Sequence, residues 1–290
     1  MPIPIPEALD ESGQLAASKA GQAGDIPRYL VSSALAGAYV GIAVTLLVSV
    51  AGPLVAAGSP AAKLVQGAVF GIALTLVVFA GAELFTGNVM VMIQGLAARV
   101  VTLRQLVAVW GVSLVGNFLG SIGLAALVHG GGTLALGGKD GAPGPGQGLI
   151  NSIIATKDAA SGPQLFWRSV LCNLLVCLAL WMAARTRSDG AKLIVLWWAL
   201  MAFIASGFEH SIANMTLFAL GIFGGDATWG QLARNLAWTV PGNIVGGGLL
   251  VGFAYAWLGG RVGAPAAAAR GGKRDAVVAP AVPDVTPAPA

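Results

Sequence analysis

Charge is the first thing this chain is short of. Asp, Glu, Lys and Arg make up 10% of its 290 residues, against 56% hydrophobic residues, where an ordinary soluble domain carries about a quarter charged. With a mean hydropathy of +0.80, this excludes a soluble globular protein and points to an all-α integral membrane protein. Cysteine is nearly absent: Cys172 and Cys177 are the whole complement, five apart in one apolar stretch where a helix would not face them together. They read as small buried hydrophobes, so neither a disulfide nor a metal pair is expected. Histidine is limited to His129 and His210, which excludes a haem-type pair inside the spans. There is also no H-E-x-x-H and no G-x-x-x-x-G-K-[ST] loop. No metal, cofactor or catalytic residue is expected, and the chain reads as a non-enzyme. The formal net charge is +4, but no basic stripe interleaved with aromatics accompanies it, which leaves nucleic acid out as a partner.

Long apolar runs are what the chain has instead. A helix needs about 20 apolar residues to cross the hydrocarbon layer, and runs occur at approximately 30–53, 65–94, 105–129, 166–184, 193–221 and 236–259. Six spans are expected, in contact with membrane lipid. Residues 1–28 are expected as a cytoplasmic N-terminal segment without a signal-peptide core, 29–260 as the six-span channel domain, and 261–290, Ala/Pro-rich, as a disordered cytoplasmic tail. The glycine-rich 131–148 is expected outside, followed by a short surface helix or turn. With the N-terminus inside, eleven of the sixteen Lys and Arg fall on the cytoplasmic side, so the positive-inside tendency puts both termini there.

Two of the six runs are too long for one straight crossing, and both contain polar residues where a span is ordinarily least polar: "AELFTGN" and "FEHSIAN". Each reads as two half-helices around an irregular break. The breaks are related: Gly81, Glu83, Asn88, Gly116, Asn117 and Gly120 recur as Gly207, Glu209, Asn214, Gly242, Asn243 and Gly246, all 126 residues later. Three spans per half is an odd number, so the halves must be inverted. A 3+3 inverted repeat with broken second and fifth helices is a transport architecture whose path runs at the repeat interface. Helix N-termini at the breaks would turn amide dipoles toward that path and favour anions.

Broken backbone inside a bilayer must be satisfied by protein or by a wet cavity. Glu83 and Glu209 read either as substrate sites or, since both halves carry one, as acceptors tying the breaks to backbone N–H groups, which is favoured; Asn88, Asn117, Asn173, Asn214 and Asn243 read as internal hydrogen-bond ties, Asn173 being the first candidate for an exception. His210 reads either as a structural histidine packed beside Glu209 or as a donor facing the path; its place at a break on the repeat interface favours the second. Phe70, Leu74, Leu84, Phe85 and Phe203, taken alone, suit ordinary packing as well as pore constrictions. Gly37/Gly41, Gly67/Gly71 and Gly116/Gly120 mark close helix contacts within or between subunits. Duplicated asparagine-containing breaks also suit an aquaporin-like channel for neutral solutes, although the twin N-P-A signatures are missing.

The stretches "VSSALAGAYVGIA", "GAVFGIALTLVVFAGAELFTGNVM", "LCNLLVCLALWMAARTR" and "AFIASGFEHSIANMTLFAL" resemble the formate/nitrite transporter family, its nitrite branch most closely, over roughly residues 20 to 260. The resemblance implies an aquaporin-like fold assembled as an inner-membrane homopentamer, each protomer with its own pore for small monovalent anions: nitrite, formate or hydrosulfide. It implies a break loop at Leu84, Phe85 and Thr86, a central His210, and Asn173 beside Thr86 and His210. It further implies a cytoplasmic narrowing at Leu74, Leu84 and Phe85, a periplasmic one at Phe70 and Phe203, and Lys157 drawing anions into the periplasmic vestibule.

Overall fold

The computed structural model describes residues 1–138 and 143–262; the tail expected as disordered lies, from residue 263 on, outside the described residues. The described residues are helical, with no strand among them. The chain opens with a helix the apolar runs did not suggest, α1 (Ile5–Gln22), with Pro6 in its first turn, Glu7 at its N-terminal end and Lys19 in its last turn, complementing the helix dipole. Its buried stripe is modest: Ala8, Leu9, Ser12, Gly13 and Ala16.

The apolar runs then appear as helices that start where their caps dictate. Asp25 caps α2 (Ile26–Ala56) by accepting from Arg28 N–H. Capping boxes Thr102/Gln105, Ser161/Gln164 and Thr228/Gln231 open α6 (Leu103–Gly130), α8 (Gly162–Ala184) and α11 (Trp229–Ile244), each a hydroxyl followed three residues later by Gln. The run at 65–94 divides into α3 (Ala62–Phe70), α4 (Ile72–Phe79) and, after a non-helical 80–84, α5 (Phe85–Ala97). The run at 193–221 divides into α9 (Asp189–Ala205) and α10 (Ser211–Phe223), separated by 206–210. The last run is α11, a π-helical turn Val245–Phe253, and α12 (Ala254–Leu258). Five stretches are long and apolar enough to cross a membrane; α5 and α10 are shorter apolar helices. The helix expected after the glycine-rich loop is α7 (Pro145–Ala159), which buries Ile150 and Ile154.

Both interruptions end the preceding helix the same way. Gly81 and Gly207 sit at φ +76° and +73°, the left-handed conformation that suits glycine at a helix C-terminus. The next residues fold back, Ala82 N–H to Val77 C=O at 3.0 Å and Phe208 N–H to Phe203 C=O at 3.1 Å. Helix packing repeats as well: a Cβ at Gly120 would stand 1.8 Å from Ala34 O, and one at Gly246 would stand 2.1 Å from Val170 O. Only glycine allows α6 to lie this close to α2 and the π-helical turn this close to α8. Ala34 and Val170 are 136 apart, whereas Gly120 and Gly246 are 126 apart, so the first helix of each related stretch is displaced by ten residues from the register of the breaks. The glycine pairs noted in the sequence meet partners within this chain, Gly37 at Asn117, Gly67 at Met201 and Gly116 at Ser33.

One end of the helix stack brings the N-terminal residues together with the residues that follow α8 and α12. Ile3 exchanges two 2.8 Å hydrogen bonds with Arg185, Arg187 pairs with Glu11, and Arg261 lies 2.5 Å from Asp10. The opposite end carries Asp158, paired with Arg234 at 3.7 Å. Around the waist the outer surface is apolar, with Ile194, Trp198 and Leu119 among the exposed side chains, while Asn88, Asn117, Asn173, Asn214 and Asn243 are buried. This is the distribution of a protein whose surroundings are hydrocarbon.

Candidate functional site

The two breaks are closed by one hydrogen-bond device used twice. Asn117 Oδ1 accepts from Phe85 N–H at 2.9 Å, and its Nδ2 donates to Glu83 O at 2.9 Å and Ser33 O at 2.7 Å. Asn243 Oδ1 accepts from Ser211 N–H at 3.0 Å, and its Nδ2 donates to Glu209 O at 3.0 Å and Ser169 O at 2.8 Å. An amide supplies one acceptor and two donors, so each asparagine satisfies three backbone groups that the break would otherwise leave bare. The carboxylates do a different job from the one expected: their partners are side chains, not backbone N–H groups. Glu83 lies 2.7 Å from Lys19 Nζ through both oxygens and accepts from Tyr29 Oη at 2.8 Å and Asn88 Nδ2 at 3.1 Å. Glu209 accepts from Lys157 Nζ at 2.7 Å and Asn214 Nδ2 at 2.8 Å, and Asn214 continues to Asn235 Oδ1 at 2.8 Å. Each break thus has a buried carboxylate with its own ammonium.

Between the breaks lies a chamber of about 10 Å³, the room of a single water, lined by Val40, Phe70, Ala73, Leu74, Leu84, Val176, Leu200, Phe203 and His210. Phe70 and Phe203 meet edge to face at 5.6 Å. Both, with His210, also line a much larger cavity of about 480 Å³ beyond them. The aromatic pair therefore stands between vestibule and chamber, and Leu74, Leu84 and Leu200 form the chamber's aliphatic wall. Leu200 was not singled out in the sequence, although it lies 126 residues after Leu74. Phe85, Thr86 and Asn173 do not line the chamber. Phe85 is buried against Trp110, with ring centroids 6.4 Å apart. Thr86 and Asn173 stand behind the wall, where Asn173 Nδ2 donates to Thr86 O at 3.2 Å and Asn243 O at 2.7 Å.

His210 is the chamber's one polar lining residue. It is the N-cap of α10, and its Nδ1 accepts from Ala213 N–H at 3.2 Å. That bond assigns the neutral ring's proton to Nε2, which lies 3.1 Å from Thr86 Oγ1, and the ring stacks on Phe203 at 5.9 Å. The equivalent residue in the first break is Leu84, also an extended N-cap, at φ −93° against −102° for His210. The backbone repeats, but the chemistry at this position does not.

The vestibule is lined by Lys63, Lys157, Arg168 and Glu209, three cations against one carboxylate. Lys157 is committed to Glu209, which leaves Lys63 and Arg168 as cations with no carboxylate partner among the described residues. Arg168 escaped the sequence reading because it stands within an apolar run; Lys19 escaped because its partner is 64 residues away. No group of three or more His, Cys, Asp or Glu suited to a metal occurs among the described residues.

A sequence profile described as "Formate/nitrite transporter" matches residues 6–257. The nitrite transporter NirC of Escherichia coli (strain K12) is 43% identical over 230 residues, 78% of this chain and 82% of that protein. A probable formate transporter of Methanothermobacter thermautotrophicus is 40% identical over 242 residues, 79% of this chain and 87% of that protein. Among solved structures, an FNT family ion channel superposes with a TM-score of 0.79 at 40% identity, covering 87% of this chain and 98% of that one. A pentameric formate channel with formate bound gives 0.66 at 29% identity, covering 81% and 97%.

Proposed function

Because the chain belongs to the formate/nitrite transporter family, we propose that it passes small monovalent anions, nitrite first among them, through a pore of its own in which His210 is the central donor. Nitrite is placed ahead of formate because the NirC proteins are 43% identical and the formate proteins 40% or less. Membership of this family displaces the neutral-solute alternative. In the finer reading the chain makes six crossings as a 3+3 inverted repeat, from 29 to 260, with both ends cytoplasmic in a bacterial inner membrane, and five copies assemble around a common axis. The shared face of Ile3, Arg185 and Arg261 supports an even number of crossings.

One observation carries the pore assignment: a chamber of water size, closed by apolar side chains, whose one polar lining residue is His210. An anion entering it sheds most of its hydration, which costs several kcal/mol, and dry constrictions of this kind pass an ion only when that loss is partly replaced. Lys63 and Arg168, with the Lys157–Glu209 pair, raise the local anion concentration in the vestibule. His210 Nε2–H then offers a hydrogen bond to a charged acceptor, worth about 1.5–3 kcal/mol. Handing over a proton is a separate step that needs imidazolium, and a second ring proton would displace Ala213 N–H from Nδ1. Proton transfer is therefore coupled to the first turn of α10, and the neutral donor is the resting form. Current and internal pH recorded together in proteoliposomes test this: nitrite-dependent current is expected, with formate and hydrosulfide compared. Uptake of a neutral polar solute without anion current would remove the proposal.

A further inference from the structure

Thr86 and His210 meet across the seam between the two related stretches, one residue from each break. His210 is fixed by its cap; Thr86 needs a fixture of its own. Its hydroxyl faces His210 Nε2, while its carbonyl receives two donors from one helix: Asn173 Nδ2 at 3.2 Å and Cys177 Sγ at 3.3 Å. The two donors are one turn apart on α8, with Cys177 Sγ also 3.6 Å from Asn173 Oδ1, and both are fully buried. Directly behind them is Gly247, in the π-helical turn. A Cβ there would stand 2.4 Å from Asn173 Nδ2 and 2.6 Å from Cys177 Sγ, so no other residue leaves these two side chains where they are.

The other stretch shows that this is not simply inherited packing. At the 136-residue offset of the first helices, Asn173 and Cys177 correspond to Gly37 and Gly41; at the 126-residue offset, Gly247 corresponds to Ser121. There the first helix is bare and the last carries the polar group, with Ser121 Oγ donating to Gly37 O at 3.4 Å. In the second stretch bulk and space have changed places. That exchange puts two donors on the side of α8 that reaches over the seam, and the wider π-helical turn with its three consecutive glycines provides the space behind them.

We infer that Cys177, seated against Gly247 and acting with Asn173, is a positioning residue for anion passage: the thiol and the amide hold the Thr86 carbonyl, and through it the reach of the Thr86 hydroxyl to His210 Nε2. This rests on the reading of Thr86 and His210 as the centre of the path. Cys177 acts as a hydrogen-bond donor and undergoes no covalent step.

The test is uptake of nitrite and of formate by the full chain in proteoliposomes, resolved into saturating rate and half-saturation concentration. Cys177→Ala lowers the saturating nitrite rate about twofold to fivefold, the scale of one weak hydrogen bond, and changes the nitrite-to-formate ratio. The half-saturation concentration, set in the vestibule, stays unchanged. Cys177→Ser restores a donor and brings the rate back to within about twofold of the parent. Gly247→Ala pushes both donors away together and lowers the rate about tenfold or more, the loss of more than one such bond. Parent-like rate and ratio in Cys177→Ala, or a Cys177→Ser no better than Cys177→Ala, overturns the inference and leaves Cys177 as packing. Should Gly247→Ala not fold, the Cys177 pair alone decides, since both replacements are smaller than cysteine and create no overlap. Thr86→Val in the same assay separates the two levels. If it behaves as the parent, the path itself is misplaced; if it loses rate while Cys177→Ala and Gly247→Ala do not, only the clamp is wrong.

Discussion

His210 is held at three points: by Ala213 N–H on one ring nitrogen, Thr86 Oγ1 at the other, and the face of Phe203. This immobility makes substitutions there informative. Asparagine is itself a good N-cap and keeps a donor of similar reach, so His210→Asn is expected to retain anion current while losing any proton-linked component. His210→Phe loses both cap and donor, and its uptake is expected to fall about tenfold to a hundredfold, matching a hydrogen bond to a charged acceptor. Flux assays with a pH-sensitive dye inside the vesicles read both quantities, and proton-linked uptake preserved in His210→Asn would falsify a proton-transfer role. At the apolar walls the expected direction is opposite. Leu74→Ala or Phe203→Ala widens a dry constriction, so leak of chloride should rise relative to nitrite. Unchanged selectivity in both variants would return these residues to ordinary packing.

At the scale of elements, the breaks are held by side chains that can be removed one at a time. Asn117→Ala leaves Phe85 N–H, Glu83 O and Ser33 O without their partner, at about 1–3 kcal/mol for each group left buried and unsatisfied; Asn243→Ala does the same to the second break. Both should unfold several degrees earlier in detergent, and a Tm equal to the parent's would contradict the role assigned to the amides. Lys19 and Glu83 form a similar test for α1. Their side chains are 11% and 12% exposed, so Lys19→Met strands a buried carboxylate at a cost of about 3–5 kcal/mol. Lys19→Met/Glu83→Gln should recover most of it, and additive losses in that double variant would show that the pair is not coupled. The breaks were legible in the sequence because their glycines, asparagines and carboxylates recur at one fixed interval, and polar residues inside apolar runs have few explanations. The first helices were not, because their equivalence runs at 136, outside the register of the breaks, and its identities, such as Ser33 with Ser169 and Val40 with Val176, are common small or apolar residues of any span. Nor was α1, whose faint stripe is stabilised by contacts with Gln94 and Glu83 far along the chain. Phe85 shows the converse: the family resemblance implied a place at the cytoplasmic narrowing, but the residue does not line the chamber and packs against Trp110.

On the scale of the whole molecule, the shared face of the chain's beginning and of α12 makes a topological prediction. Cysteines placed at Pro2 and at Val262 should both be shielded from an impermeant thiol reagent in intact cells and both be labelled in inverted vesicles; Cys172 and Cys177, fully buried, supply no background. Labelling of just one of the two in intact cells would require an odd number of crossings and end the inverted arrangement. The seam has a further consequence. Thr86 comes from before the glycine-rich loop, and His210, Asn173 and Cys177 come from after it, so a chain severed in that loop becomes a complementation pair. Expressed separately, neither fragment can assemble the Thr86–His210 contact; expressed together, residues 1–138 and 143–290 are expected to recover nitrite uptake in cells. Uptake by one fragment alone would mean that a single half contains a working path and that the contact across the seam is dispensable.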